Sequence, residues 1–139
     1  MIISENTKEK ITSPNAAARI MTTILQTESE IDKDKEHFWV IGLNTQNIIK
    51  YIELVSLGCL NKNLVHPREI YRLAISQGVS SIIGIHNHPS GSVEESNEDV
   101  ALTTQLIEAG KILGIELLDH IIIGGNEPDN FKSLKIQVK

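Results

Sequence analysis

The sequence predicts an α/β or α+β domain in which helices are interleaved with the strands of a mixed or mostly antiparallel sheet. The run at residues 80–85, which is apolar from Ile82 to Ile85, is typical of a central strand that is buried on both faces. Two further apolar segments, residues 38–43 and 115–123, also have the composition of strands. Between these segments lie stretches whose apolar residues recur at helical spacing. The length of 139 residues suits one domain with its own hydrophobic core.

The elements can be placed along the chain from their boundary residues. Residues 1–12 are polar and are expected to form a flexible N-terminal segment, so the domain is assigned to residues 13–139. The pair Ser13-Pro14 has the chemistry of a helix start, and an apolar stripe at helical spacing follows it. The remaining predicted elements are a polar loop at 27–35, a hairpin of strands 38–43 and 48–55, a helix from His66-Pro67 to Gly78, a helix from Ser96 to Gly114, and an edge strand at 131–138.

Composition and charge exclude several classes of protein. Hydrophobic residues make up 40% of the chain and charged residues 22%, which is the mixture of an ordinary soluble globular protein. The formal net charge is −5, and tight non-specific binding to nucleic acid requires several phosphate contacts from basic side chains. Nucleic acid is therefore a disfavoured partner. The first ten residues lack the apolar core of a signal peptide and no apolar run is long enough to cross a bilayer, so we expect a cytoplasmic protein without a membrane partner.

The chain contains a single cysteine, Cys59. An internal disulfide and a cysteine-based zinc site are both excluded by this count. A zinc nucleoside deaminase is excluded for the same reason, because it requires a Pro-Cys-x-x-Cys segment. Any bound metal must therefore be held by histidine, aspartate or glutamate.

The most informative motif is His86-Asn87-His88, which lies where the buried strand runs into a loop. Two histidines at positions i and i+2 of an extended segment point to the same side. Asp99 follows His88 by eleven residues, and from the start of a helix its carboxylate can turn back to join the two imidazoles. Two histidines and one carboxylate are a normal ligand set for catalytic zinc, with water in the fourth position. The motif therefore predicts a zinc-dependent hydrolase.

The carboxylate of this motif also has a purely structural interpretation. Ser96 precedes Asp99 by three residues, which is close to the capping-box pattern of a helix start. The two interpretations are compatible, because the first turn of a helix can both cap itself and present a side chain to a neighbouring strand end. Ser96 would then lie beside the metal as a hydrogen-bond donor to the developing oxyanion or to a ligand.

Hydrolysis by a metal-activated water also requires a general base. A glutamate is the expected base, but the chain contains no His-Glu-x-x-His segment that would identify it. Spacing alone leaves five candidates: Glu36, Glu53, Glu94, Glu95 and Glu98.

The motif resembles that of a known family. Seven residues separate His88 from Ser96 and two separate Ser96 from Asp99, as in the JAMM pattern of a glutamate, His-x-His, seven residues, Ser, two residues and Asp. Together with the following segments, this makes the chain similar over residues 13–125 to the RadC-like branch of the JAB/JAMM (MPN) metalloprotease superfamily: Leu43-Asn44-Thr45-Gln46-Asn47, Gly58-Cys59-Leu60-Asn61, Val65-His66-Pro67-Arg68-Glu69, the run Ile85 to Gly91, and Leu117-Leu118-Asp119-His120.

The resemblance implies a fold, a site and a reaction. The implied fold is a curved mixed sheet flanked by helices, with cytidine-deaminase-like architecture. The family places its catalytic glutamate just before the first core strand, which corresponds to Glu36 in this sequence. His86, His88 and Asp99 would correspond to the Zn²⁺ ligands, and Ser96 to the residue that stabilises the tetrahedral intermediate. The substrate would be a peptide, an isopeptide or a small amide.

The resemblance also carries an alternative. The historical DNA-repair label of the RadC-like family implies an accessory protein that associates with nucleic acid and has no hydrolase activity. Many members carry a helix-hairpin-helix region before the JAB domain, and this chain resembles the shorter, stand-alone form. The acidic charge weighs against DNA binding, whereas an edge strand at residues 131–138 would allow oligomers by strand pairing.

Four further polar residues have uncertain roles at this level. His66 and Arg68 flank a proline and are expected to fix a helix start rather than to contact substrate. Asp119 and His120 interrupt an apolar strand, where they could support a metal ligand by hydrogen bonding or have a structural role only.

Overall fold

The computed structural model contains a six-stranded mixed sheet with helices on both faces. It describes residues 1–58, 65–125 and 127–135. Its elements are β1 (Ile2–Glu5), α1 (Pro14–Gln26), α2 (Glu30–Lys33), β2 (Glu36–Leu43), β3 (Ile49–Gly58), α3 (Pro67–Gln77), β4 (Ser81–Asn87), α4 (Asn97–Leu113), β5 (Glu116–Ile123) and β6 (Phe131–Ser133). The strand order is β1-β3-β2-β4-β5-β6. The predicted fold class, a mixed sheet flanked by helices, is confirmed.

The strand β4 occupies the middle of the sheet, as its apolar run predicts. All seven of its residues are buried. It pairs antiparallel with β2 and parallel with β5, and α4 makes the crossover that a parallel pair requires. The sheet is therefore mixed, and the C-terminal end of β4 meets the first turn of α4.

Each face of the sheet has its own apolar core. On one face α1 packs against β2, β3, β4 and β5 through a cluster that includes Met21, Leu25, Trp39, Ile41, Ile85 and Ile121. On the other face α3 and α4 pack through a cluster that includes Phe38, Tyr71, Ala74, Ile82, Leu106 and Leu117. Burial of apolar area on both faces stabilises the fold and holds β4 in a fixed position between the two helical layers.

The helix starts predicted from the sequence are confirmed by their caps. The Ser13 side chain accepts a hydrogen bond from the Ala16 N–H, and proline follows it at the first helical position. At the start of α3 the His66 side chain accepts a hydrogen bond from the Arg68 N–H at 3.1 Å, so His66 has the structural role expected of it. Gly78 ends α3 in the left-handed conformation that favours glycine.

A β-bulge interrupts the parallel pairing of β4 with β5. Ile82 pairs with Leu117 and Ile83 pairs with Asp119, so Leu118 has no partner residue on β4. Leu117 packs on the α4 face, and His120, three positions later, also faces α4 and contacts its Thr103 side chain. In a regular strand, residues three apart face opposite sides of the sheet. The bulge is the reason why His120 points to the α4 face.

Three elements differ from their sequence predictions. Residues 2–5, within the segment expected to be flexible, form the edge strand β1, which pairs antiparallel with β3 and lacks the length and alternation of a recognisable strand. The polar loop at 27–35 contains the one-turn helix α2, which Ser29 caps. Of the strand predicted at 131–138, residues Phe131–Ser133 form β6, residues 134 and 135 do not continue it, and residues 136–138 lie outside the described part of the chain. Cys59 lies outside the described residues, and no described helix is long and apolar enough to span a membrane.

We expect Glu53→Gln to stabilise the protein at neutral pH. Glu53 on β3 is 7% exposed, its Oε1 has no hydrogen-bond partner among the described residues, and burial raises its pKa above the ordinary value of 4.5. A raised pKa in the folded state means that this state binds the proton more tightly than the unfolded chain. Stability is therefore lost as pH rises through and above 4.5.

The measurement is urea unfolding of Glu53→Gln and wild type at pH 7 and pH 4. The free energy of unfolding of the variant should be higher by on the order of 1 kcal/mol at pH 7, and the difference should shrink at pH 4. Glu5→Gln, an exposed change on neighbouring β1, should leave stability unchanged at both pH values. An equal effect of Glu53→Gln at both pH values would show that ionisation is not the cause.

Candidate metal centre

Three side chains converge where β4 ends and α4 begins. His86 is the penultimate residue of β4 and is fully buried, and His88 follows the strand directly. Asp99 lies in the first turn of α4 and is 5% exposed. Residues His86, His88 and Asp99 form a group whose ligand atoms could hold a metal ion. The structure thus brings together the three residues that the sequence spacing selects.

The separations of the ligand atoms suit a tetrahedral metal. The Nε2 atoms of His86 and His88 are 3.1 Å apart, and the Asp99 carboxylate lies 3.2 Å from the first and 3.4 Å from the second. In tetrahedral zinc sites, bonds of about 2.0–2.1 Å put neighbouring ligand atoms roughly 3.3–3.4 Å apart. The separation of the two imidazole nitrogens, and the distance from each to its nearer Asp99 oxygen (Oδ1 for His86, Oδ2 for His88), are therefore close to the lengths expected around a zinc ion.

A hydrogen bond to the loop after β4 sets the tautomer of His88. Its Nδ1 lies 2.8 Å from the carbonyl oxygen of Ser92. A carbonyl oxygen only accepts, so Nδ1 must carry the proton and donate. In the neutral ring, Nε2 then has a free lone pair that faces His86 and Asp99.

A chain of buried hydrogen bonds sets the tautomer of His86. The Thr103 hydroxyl donates to the carbonyl oxygen of Asp99 at 2.8 Å and lies 2.6 Å from Nδ1 of His120. Since its proton is already committed, the hydroxyl accepts from His120, whose Nε2 is then free to accept from Nδ1 of His86 at 2.8 Å. The lone pair of His86 is left on Nε2, at the centre. We name this chain from Thr103 through His120 to His86 the tautomer relay.

The electrostatics of the centre favour a cation. Burial opposes ionisation of Asp99. When the two rings are protonated and hold no metal, however, His86 and His88 donate hydrogen bonds from Nε2 that hold the pKa of Asp99 well below the usual range. The same hydrogen bond with Asp99 raises the pKa of His88, against the effect of burial. Burial, together with the neighbouring His86, lowers the pKa of His120 well below its ordinary value, so this ring is neutral. Two lone pairs and a carboxylate that meet at one point require a positive charge between them.

The centre opens into a cavity of about 810 Å³ that also contains the expected catalytic residues. Glu36, the first residue of β2, lines this cavity together with His88, Ser96 and Asp99. The charge of Glu36 contributes to the raised pKa of His88, as expected of a nearby carboxylate. The structure therefore brings Glu36 and Ser96 to the mouth of the centre, while their roles in catalysis stay predictions.

Ser96 caps α4 in the way that its spacing to Asp99 predicts. Its Oγ accepts a hydrogen bond from the Asp99 N–H at 3.1 Å, and its own N–H donates to the Asp99 carboxylate at 2.9 Å. This is a complete capping box. The Asp99 carboxylate of this capping box also lies beside both histidines, so one side chain serves in the cap and in the candidate metal site.

The loop between His88 and Ser96 is held by the end of the chain. Asn130 donates from its amide nitrogen to the carbonyl oxygens of Gly91 and Gly124, at 2.8 and 2.9 Å. Lys132 on β6 forms an ion pair with Glu95 at 2.6 Å. These contacts fix the loop that orients His88, and no pattern in the sequence indicates them.

Asp119 and His120, which are adjacent in β5, have different roles in the structure. His120 supports a candidate ligand through the tautomer relay, as one of its two interpretations proposes. The Asp119 carboxylate instead accepts hydrogen bonds from the Ser133 hydroxyl and the Lys135 N–H, which attach β6 to β5. Sequence reasoning missed Thr103, and its only signal is that it follows Asp99 by one helical turn.

We expect Thr103→Val to weaken metal binding while leaving every ligand in place. Valine has nearly the shape of threonine but cannot accept from His120, so the tautomer of His86 is no longer fixed. Loss of such an outer partner typically lowers metal affinity by about 10- to 100-fold. Competition with a chelating indicator measures the affinity, and Thr104→Val is the matched control because the Thr104 hydroxyl is exposed and bonds only within the helix. Equal zinc affinity in the two variants would exclude a role for the relay.

The comparisons with known proteins agree with this geometry. The family model described as RadC-like JAB domain matches residues 11–137. A UPF0758 protein from Desulforamulus reducens is 51% identical over 102 residues, which cover 73% of this chain and 45% of that protein. A UPF0758 protein from Caldanaerobacter subterraneus subsp. tengcongensis is 45% identical over 124 residues, covering 89% of this chain and 51% of that protein. This chain therefore spans about half the length of the curated relatives it matches.

Proposed function

Since this chain belongs to the RadC-like JAB domain family, we propose that it is a zinc-dependent hydrolase of the JAMM type that cleaves an amide bond. The family contains metallohydrolases, and the donor set here fits zinc. The observation that carries the proposal is the convergence of two histidine lone pairs and one carboxylate at the wall of a cavity that also holds Glu36 and Ser96. The tautomer relay supports the proposal as well, because it leaves the lone pair of His86 on the atom that faces His88 and Asp99.

The residues of the cavity divide the work of hydrolysis. His86, His88 and Asp99 would hold Zn²⁺, which supplies Lewis acidity and lowers the pKa of water. Glu36 takes the proton from the attacking water as its oxygen adds to the amide carbon, and passes it to the leaving nitrogen as the C–N bond breaks. Ser96 is free to donate a hydrogen bond from its hydroxyl to the oxyanion, because its Oγ only accepts a hydrogen bond in the capping box.

The charges around the cavity favour a neutral or cationic amide over nucleic acid. Asp34, Glu36 and Glu98 line it, whereas its basic lining residue Lys35 forms an ion pair with Asp32 at 3.0 Å. Phosphate groups would meet net negative charge at this mouth. We therefore propose a peptide, an isopeptide or a small amide as the substrate.

Zinc content and amide cleavage test the proposal together. Untagged protein, purified without chelator, is analysed by plasma mass spectrometry and assayed against a panel of peptides and lysine-linked isopeptides. We expect about one zinc per chain, and cleavage that a chelator abolishes and added zinc restores. Protein that takes up no zinc even when it is supplied would overturn the proposal. Salt-sensitive DNA binding that survives loss of His88 would instead support the accessory role.

A further inference from the structure

Asn87 lies between the two candidate histidine ligands, and its side chain contacts the segment that carries Glu36. We propose that Asn87 is a positioning residue that fixes the backbone of Glu36 and so directs its carboxylate at the metal centre. The inference rests on the proposed function, because it requires Glu36 to act on the same centre that His86 and His88 form.

The contacts of Asn87 are both to the main chain on either side of Glu36. Its Oδ1 accepts a hydrogen bond from the His37 N–H at 2.6 Å, and its Nδ2 donates to the Lys35 carbonyl oxygen at 3.0 Å. The side chain is buried, with 1% of Asn87 exposed. Its amide oxygen and its amide nitrogen therefore each bond to a main-chain group, and these two groups bracket Glu36.

These two contacts restrain both backbone dihedrals of Glu36. The Lys35 carbonyl belongs to the peptide unit before Glu36, and the His37 N–H belongs to the unit after it. A peptide unit is planar, so holding both units fixes the rotations about the bonds between them. Only the side-chain dihedrals of Glu36 are then left to vary.

Asparagine is the residue whose chemistry suits this position. One of the two groups is a donor and the other an acceptor, and a single amide can satisfy both at once. Aspartate would place a second acceptor against the Lys35 carbonyl, and an apolar side chain would leave two buried main-chain groups without these partners. On the β4 side the backbone ladder does not do this work, because the registered pairs of β2 with β4 end at Phe38 and His86. The ladder with β3 holds the opposite edge of the segment, where Glu36 pairs with Gly58.

The segment is further anchored on its other side. The His37 ring is fully buried, stacks on Trp39 with ring centroids 4.8 Å apart, and its Nδ1 lies 2.8 Å from the Lys35 carbonyl oxygen. Glu36 is thus the half-exposed residue of a segment whose neighbours are held from two directions. A general base needs a fixed position, since a displacement of the reacting groups by about 1 Å can cost about 100-fold in rate.

The geometry also couples two parts of the site that are distant in sequence. Asn87 lies 50 residues from His37, and its neighbours on both sides carry the imidazoles. One strand end therefore positions the ligands directly and the base indirectly. Loss of the Asn87 amide should disturb the base while leaving the metal bound.

The test uses cobalt(II) as the only probe, because its visible spectrum reports the coordination of the ion and needs no substrate. The variants are Asn87→Ala, Glu36→Gln and their combination, with Ser81→Ala as the control. Ser81 is a buried polar residue of the same strand, and its hydroxyl has no hydrogen-bond partner among the described residues. Cobalt affinity and the pH midpoint of the cobalt spectrum are measured for each protein.

We expect Glu36→Gln to move the pH midpoint by roughly 0.5 unit or more, because Glu36 lines the cavity into which the centre opens and its charge already acts on His88. Asn87→Ala should move it in the same direction, keep cobalt affinity within about threefold of wild type, and add nothing in the combined variant. A wild-type midpoint in Asn87→Ala, beside a shifted one in Glu36→Gln, overturns the inference alone. An unshifted midpoint in Glu36→Gln overturns the proposed role of Glu36, and the inference with it, so the two failures are distinguishable.

A measurement on wild-type protein keeps the inference testable if Asn87→Ala does not fold. Amide hydrogen exchange at His37 should be as slow as that of the core residues of β2, since its N–H donates to a buried side chain. Exchange at His37 as fast as that of an exposed loop would overturn the inference.

Discussion

Replacing Glu36 by glutamine is expected to leave zinc bound and to reduce amide hydrolysis by about 100- to 10,000-fold. Glutamine has nearly the same shape and can still hydrogen-bond, but it cannot take a proton from water. Glu36 is not one of the three converging ligand residues, so the metal should stay in place. The measurement is turnover of the best substrate from the panel, together with zinc content of the same sample.

The matched control for this variant is Asp34→Asn. Asp34 lines the same cavity and lies two residues before Glu36, so its replacement removes the same charge from the same mouth. Turnover of Asp34→Asn should change by no more than the few-fold expected of a screened surface charge. Unchanged turnover in Glu36→Gln, with zinc retained, would show that another group is the base.

Asp99→Asn is expected to abolish stoichiometric zinc. The amide has the shape of the carboxylate and can still accept from the Ser96 N–H, but it does not supply the negative charge that the two histidines face. The loss of affinity should exceed the roughly 10- to 100-fold that removal of an outer partner costs. Zinc content after dialysis against metal-free buffer measures the effect.

Glu98→Gln separates this effect from charge in the helix. Glu98 precedes Asp99 in the first turn of α4, so its replacement removes one negative charge from the same helix N-terminus. Glu98→Gln should retain zinc at the wild-type level and lose only a few tenths of a kcal/mol of stability. Zinc retained at full stoichiometry in Asp99→Asn would contradict the assignment of Asp99 as a ligand.

Local signals predict the secondary-structure elements and the convergence of the ligands, whereas the mixed sheet flanked by helices follows from the family resemblance. The run at residues 80–85 is apolar from Ile82 onward and too short for a helix of its own, which favours a strand in the middle of a sheet. His86 and His88 follow that strand at a spacing of two, and Asp99 follows a helix cap whose pattern is recognisable by itself. Each signal is short-range, so none depends on knowing the topology.

The support of the site could not be predicted, since it depends on contacts between distant segments. The contact of Asn87 with residues 35 and 37 becomes visible only once β2 is known to pair with β4. Thr103 looks like any threonine within a helix. The position of His120 could not be predicted either. If side chains simply alternated along the strand from Leu117 on the α4 face, Asp119 rather than His120 would lie on that face.

The bulge at Leu118 therefore has a consequence for the electronic character of the centre. An unbulged β5 would present a carboxylate to Nδ1 of His86, and an anionic partner makes an imidazole ligand more electron-rich. A more strongly donating ligand reduces the Lewis acidity of the metal that it binds. Because the extra residue turns a neutral imidazole toward His86 instead, Asp99 is left as the one anion among the converging groups. A single unpaired residue in a strand would thus keep a cation held by these groups more electrophilic.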